Sequence, residues 1–85
     1  MIVRMVEMAA HPEAQRDLLD WACAVAVPEL ERQPDHVASE VFTSADNRLV
    51  VISRWRSEPV PLADPPPQWL RREPHSWDFS PVDRP

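Results

Sequence analysis

Not one of the 85 residues is glycine, and eleven are proline. Tight reversals need residues with positive φ, and without glycine that role falls to Asn and Asp. Clustered prolines remove backbone donors, so no long helix or central strand can pass through them. Five of the eleven lie between Glu58 and Pro67. The missing glycine also excludes function classes. No Gly-rich turn exists to bring backbone against a pyrophosphate, so nucleotide binding of the Rossmann or P-loop kind is ruled out. All nine basic residues are arginine. The absence of lysine removes Schiff-base chemistry and the phosphate-loop lysine.

A net charge of −5 with scattered arginines argues against nucleic-acid binding, which needs concentrated positive charge. No run of about 18 apolar residues exists, so no membrane span is expected. Met1-Ile2-Val3-Arg4 lacks the layout of a cleavable signal. The single cysteine, Cys23, has no disulfide partner and no second thiol for zinc. A cytoplasmic protein is expected, and arginine, alanine and proline without lysine fit a GC-rich bacterial genome. Residues 1–85 make one domain, short enough that oligomerisation is a natural source of extra stability.

Ile2 to Ala9 reads as a strand apolar on both faces, with Val3 and Met5 on one side and Ile2, Arg4, Val6 and Met8 on the other. His11-Pro12-Glu13 opens a helix, with Ala14, Leu18, Trp21, Ala22 and Val25 on its buried side. Pro28 should kink or restart that helix, and a second short turn over Glu29 to Arg32 carries Leu30 inward until Pro34 ends it. Val37 to Thr43 and Leu49 to Arg56 form a hairpin, with Asp46 and Asn47 suited to the turn. A proline-rich connection, residues 58–76, carries one or two helical turns over Gln68 to Glu73. Ser76 to Val82 is the last strand, with Trp77 and Phe79 on one face and Pro81 marking an edge.

The order β-α-β-β-α-β predicts an α+β fold of ferredoxin-like type, a four-stranded antiparallel sheet with helices on one face. Ile2, Val6, Met8, Val50 and Ile52 are expected to make part of the other face apolar, so a covering partner surface is expected.

The apolar first strand, His11-Pro12-Glu13, the Phe42 to Asn47 hairpin and Val51-Ile52-Ser53-Arg54-Trp55-Arg56-Ser57 together resemble the antibiotic biosynthesis monooxygenase type of dimeric α+β barrel. The resemblance covers roughly residues 1–57. Trp55-Arg56-Ser57 matches a third strand that ends in tryptophan and a small residue. Two departures stand out. Pro34-Asp35 replaces the family's usual Pro-Gly, and prolines 59, 61 and 65–67 replace most of a long helix that helps wall the family's pocket. The pocket is therefore expected to be smaller, differently shaped or absent.

The resemblance implies a homodimer with a pocket between sheet and helices for a flat, mostly apolar aromatic molecule. It also implies a cofactor-independent enzyme of secondary metabolism acting on a polyketide-type substrate by monooxygenation or cyclisation. The alternative is a non-catalytic small-molecule-binding or accessory barrel that docks to a biosynthetic partner. Haem-degrading members place an asparagine on the first strand, and this one has none. The three histidines form no metal-binding pair, so neither cofactor nor metal is expected.

Oxygenation without a cofactor needs a general base and a cationic donor for the developing oxyanion. His75, with Trp69, Pro74 and Trp77 near it in sequence, and His36 are the candidate bases, against a surface-loop and a strand-start role. Arg54 and Arg56 share the strand face opposite Trp55 and suit an oxyanion, though salt bridges to Glu7 or Glu40 explain them too. Arg54 is the catalytic candidate. Trp55, Trp21, Trp69 and Trp77 are candidate substrate contacts, with core packing as the competing role for Trp55 and Trp21.

Overall fold

The order of β-branched strands around one helical run gives an antiparallel sheet in the order β2-β3-β1-β4. The computed structural model describes all 85 residues, with β1 at Ile2–Ala9, β2 at His36–Thr43, β3 at Arg48–Trp55 and β4 at His75–Phe79. β1 and β3, the most apolar strands, take the centre, where both ladders shield their backbone groups. Proline-flanked β4 is an edge, as its sequence predicts.

Register decides which side chains share a face. Ile2, Arg4, Val6 and Met8 pair with Trp55, Ser53, Val51 and Leu49 and point toward the helical layer. Met8, Leu49 and Val51 join Ala10, Leu18 and Ala22 in the core. The opposite face carries Val3 and Met5 from β1, Val50 and Ile52 from β3, Phe42 from β2, and Trp77 and Phe79 from β4. An apolar second face therefore exists, but Ile2, Val6 and Met8 do not belong to it. Strict alternation puts them opposite Val50 and Ile52.

The helical run begins at His11 with a 3-10 turn, Pro12–Ala14, and continues as α1 (Gln15–Trp21), a π turn (Ala22–Ala26) and α2 (Val27–Glu31). Its buried residues are Ala14, Leu18, Ala22, Ala26 and Leu30. That spacing in strict fours is wider than the 3.6 residues of an ideal helix, and the π turn supplies the difference. Val25, expected on the inner face, is rotated outward and is 43% exposed. The cause is Pro28. Its ring would crowd the carbonyl one turn back, and an i→i+5 bond such as Val27 N–H to Ala22 C=O spreads the turn ahead of it. Of the kink or restart expected at Pro28, the structure shows the restart: the helix widens and then resumes as α2 with Pro28 in its first turn.

In the hairpin, Asn47 takes the left-handed conformation at φ 64°, the only residue with positive φ. Val37 is the extra residue of a bulge between His36 and Ala38, which leaves it exposed.

The expected helical turns over Gln68 to Glu73 shrink to one 3-10 turn, Pro67–Trp69. Other partners claim the backbone groups a helix would use. His11 N–H donates to the Trp69 carbonyl at 2.9 Å, Arg71 N–H to the Ala9 carbonyl at 2.8 Å, and Leu70 bridges Ala10. Upstream, Glu58 to Pro65 makes no backbone hydrogen bond. This strap is held by packing alone, with Pro59 and Pro65 buried and Leu62 against the core. No helix is long and apolar enough to cross a membrane.

Candidate functional site

The residues singled out in the sequence fall into separate places. Trp55 is completely buried on the helical side of β3; its Nε1–H donates to Ser53 Oγ at 2.8 Å. His36 stacks edge-on against it with ring centroids 5.2 Å apart, and His36 Nε2 lies 2.7 Å from Ser39 Oγ. This is a packed polar knot in the core, with no cavity beside Trp55. Trp21 and Trp69 are half-buried and pack against the core from the helix and the 3-10 turn.

His75 and Trp77 lie on the open face of β4, their rings edge-on at 5.7 Å. His75 pairs laterally with Glu7 and sits 3.3 Å from Arg72 Nη1 through Nδ1. Glu7 is bound by Arg72 and by Arg48, the latter at 3.4 Å. Hydrogen bonding from Arg72 first, then from Arg48, holds the Glu7 carboxyl below its usual range. Arg54 shares this face and faces Glu40 at 3.9 Å, one of the two salt-bridge partners anticipated for it. The sheet thus separates His75, Trp77 and Arg54 from Trp55, His36, Trp21 and Trp69.

Two clefts remain, both built by the proline-rich connection. The larger, about 470 Å³, runs along Asp64, Pro65, Pro67 and Leu70 to Pro74. Its arginines are occupied: Arg71 holds the Ala10 and Asp46 carbonyls at 2.8 and 3.1 Å, and Arg72 holds Glu7. The smaller, about 290 Å³, lies between the covered face of the sheet and the strap, with Arg4, Val6 and Ser76 on the sheet side and Pro61, Leu62 and Pro74 opposite. It combines apolar walls with a charged group that is not fully used, and it lies on the helical side of the sheet. It is the better candidate.

Arg4 is the one charged residue in that cleft. Its Nε and Nη2 donate to Asp78 Oδ1 and Oδ2 at 2.7 and 2.9 Å, a bidentate cross-strand pair between β1 and β4. The Arg4 hydrogen bond holds the Asp78 carboxyl below its ordinary 3.8, and the same bond raises Arg4. Neither residue was singled out from sequence. The available signal was a charged residue in the inward row Ile2, Arg4, Val6, Met8.

Because Asp78 and Glu7 are both depressed in the folded state, their contribution to stability is complete above the unfolded carboxylate range. It is lost as pH falls from that range through the lower folded values. The urea midpoint should therefore be flat from neutrality to about pH 5 and fall below about pH 4. In Asp78→Asn the acid-side decline should be shallower.

No group of three or more His, Cys, Asp or Glu is placed to hold a metal ion. The sheet order and the single helical layer define the ferredoxin-like class of α+β folds, here with a cleft between the sheet and the strap. Within that class the chain belongs to the antibiotic biosynthesis monooxygenase family, whose model matches residues 1–63. Among solved structures it is similar to Rv0793 from Mycobacterium tuberculosis, at 17% identity and a TM-score of 0.72, covering 98% of this chain and 96% of the other. It is also similar to the monooxygenase of the gene ActVA-Orf6 of Streptomyces coelicolor in complex with nanaomycin D, at 15% identity and a TM-score of 0.73, covering 98% and 88%. No curated protein matches the sequence.

Proposed function

We propose that the protein is a homodimeric monooxygenase of secondary metabolism, acting on an electron-rich aromatic of polyketide type with dioxygen as the only co-substrate. The observation that carries the reading is the cleft between sheet and strap, where a cation meets apolar walls. Family membership supports the reaction class, and the nanaomycin D complex of the S. coelicolor monooxygenase supports a small-molecule ligand. The open apolar face, with Phe42, Trp77 and Phe79 between 41% and 52% exposed, supports a second copy as its cover.

In this reading the cleft excludes water from one side of the ring system, and Arg4 holds the ionised substrate by its negative charge. That anion gives an electron to dioxygen. For a naphthol-type ring, one oxygen atom becomes the new quinone carbonyl, and the other leaves as water with the hydrogen of that ring carbon and the phenolic hydrogen. The substrate must ionise largely on its own, since no histidine lines the cleft and Asp78, held by Arg4, is a poor base. The same observation favours a second reading, a small-molecule-binding or accessory protein with no chemistry of its own.

Oxygen uptake with naphthol-type substrates separates the two. A monooxygenase consumes dioxygen and forms quinone; His75→Ala and His36→Ala should then each retain activity within about three-fold, because neither residue lines the cleft. Binding without oxygen uptake would establish the second reading.

A further inference from the structure

We infer that the cleft recognises a one- or two-ring aromatic carboxylate through the free edge of Arg4. This rests on the reading of the cleft as the ligand site, and it narrows the ligand from an aromatic molecule to an aromatic acid.

A guanidinium carries five N–H donors. Asp78 takes two of them, Nε–H and one on Nη2. No protein acceptor takes the others, so the end-on edge formed by Nη1 and Nη2 is unspent. The Arg4 side chain is only 18% exposed, yet its free donors still reach solvent, since Gln15 Oε1 is the one buried side-chain polar atom left without a partner; a ligand can therefore reach them. Arg4 lines the cleft, and the two N–H groups of its end-on edge present the parallel fork that matches the two oxygens of a carboxylate. A phenolate oxygen would use only half of it.

Asp78 acts as a positioning residue. Its two bonds fix the plane of the guanidinium, so the fork is aimed before any ligand arrives. Glu58, on the strap, is the other carboxylate that feels Arg4's charge, and it makes no hydrogen bond to it. The remaining lining suits the body of an aryl acid: Val6, Leu62, Pro61 and Pro74 offer apolar surface, and Ser76 one hydroxyl. A volume of about 290 Å³ stands at the small end of ligand pockets, which limits the ring system to one or two fused rings.

The test is calorimetric titration with 2-naphthoate and with its neutral isostere 2-naphthamide. The native protein should bind the acid at least ten-fold more tightly than the amide. The double variant Arg4→Leu/Asp78→Leu, which leaves no lone buried charge, should bring the two within about two-fold. Leu62→Trp, which fills the cleft, should abolish binding of both. Equal affinity of acid and amide in the native protein overturns carboxylate recognition and leaves the cleft standing as a ligand site. Binding that survives Leu62→Trp, or no binding of either probe, overturns the cleft reading itself. Should the double variant fail to fold, the Arg4 Nε–H resonance in the native protein decides. It should shift with naphthoate and stay still with naphthamide; no shift with naphthoate overturns the inference.

Discussion

Replacing Trp55 with alanine should remove most of the protein's stability at room temperature. The side chain is completely buried, donates to Ser53 Oγ and carries the edge of His36 against its face. Truncating a buried tryptophan costs about 3–5 kcal/mol through lost transfer energy and an unfilled cavity. An 85-residue domain has a total stability near the low end of about 5–15 kcal/mol, so little would remain. Trp55→Phe keeps most of the volume and gives up one hydrogen bond, for an expected loss of about 1–2 kcal/mol. Urea denaturation followed by far-ultraviolet circular dichroism measures both. The pair also decides what kind of residue Trp55 is. A cleft wall would change ligand affinity and leave the denaturation midpoint in place; a core residue does the reverse. A native midpoint for Trp55→Ala would refute the packing described above.

On the dimer proposed above, Ile52→Asp should leave one folded chain of 9.8 kDa in place of two associated ones. Ile52 lies in the row Glu40, Ile52, Met5, Trp77 that crosses the open face of the sheet. Against solvent, an aspartate there is tolerable, so the single chain survives. Against the matching face of a second copy, a two-fold interface would bury that carboxylate beside apolar groups, a cost of several kcal/mol at each occurrence. Sedimentation equilibrium over micromolar concentrations should show the dimer for the native chain and the monomer for the variant. Native protein that sediments as one chain at every concentration would remove the dimer from the proposed function. The rest of that face points the same way. Glu7 is already neutralised by Arg48 and Arg72, and Glu40 faces Arg54, so its charges come largely in compensated pairs.

The fold was legible because its strongest signals are local. Alternation in Val37 to Thr43 and Leu49 to Trp55, joined by a turn that only Asn or Asp could make without glycine, defines the hairpin from a short stretch of chain. The helix was legible as an element but not in its phase. A 3.6-residue period points Val25 inward, and the π turn that accommodates Pro28 turns Ala26 inward instead. The missing second helix was only half visible. Prolines forbade a long helix, but nothing local showed that the carbonyls of Ala9 and Ala10 would claim Arg71.

The site was largely hidden, for a related reason. His75 and Trp69 are close in sequence and were read as one lining, yet the last strand turns His75 and Trp77 to the open face while Trp69 packs into the core. The cleft's charged pair joins residues 4 and 78, a contact between the two ends of the chain that no local pattern encodes. Tryptophan and histidine are conspicuous in a sequence because they carry chemistry. Arg4 is conspicuous only once the sheet shows which way it points.

The strap from Glu58 to Pro65 has one more consequence, for how such a protein can change over evolutionary time. Because no rung of the ladder runs through it, exchanges at Pro61 or Leu62 reshape the mouth of the cleft while every strand keeps its neighbours. A new ligand preference can then be tried one side chain at a time, with the scaffold as bystander.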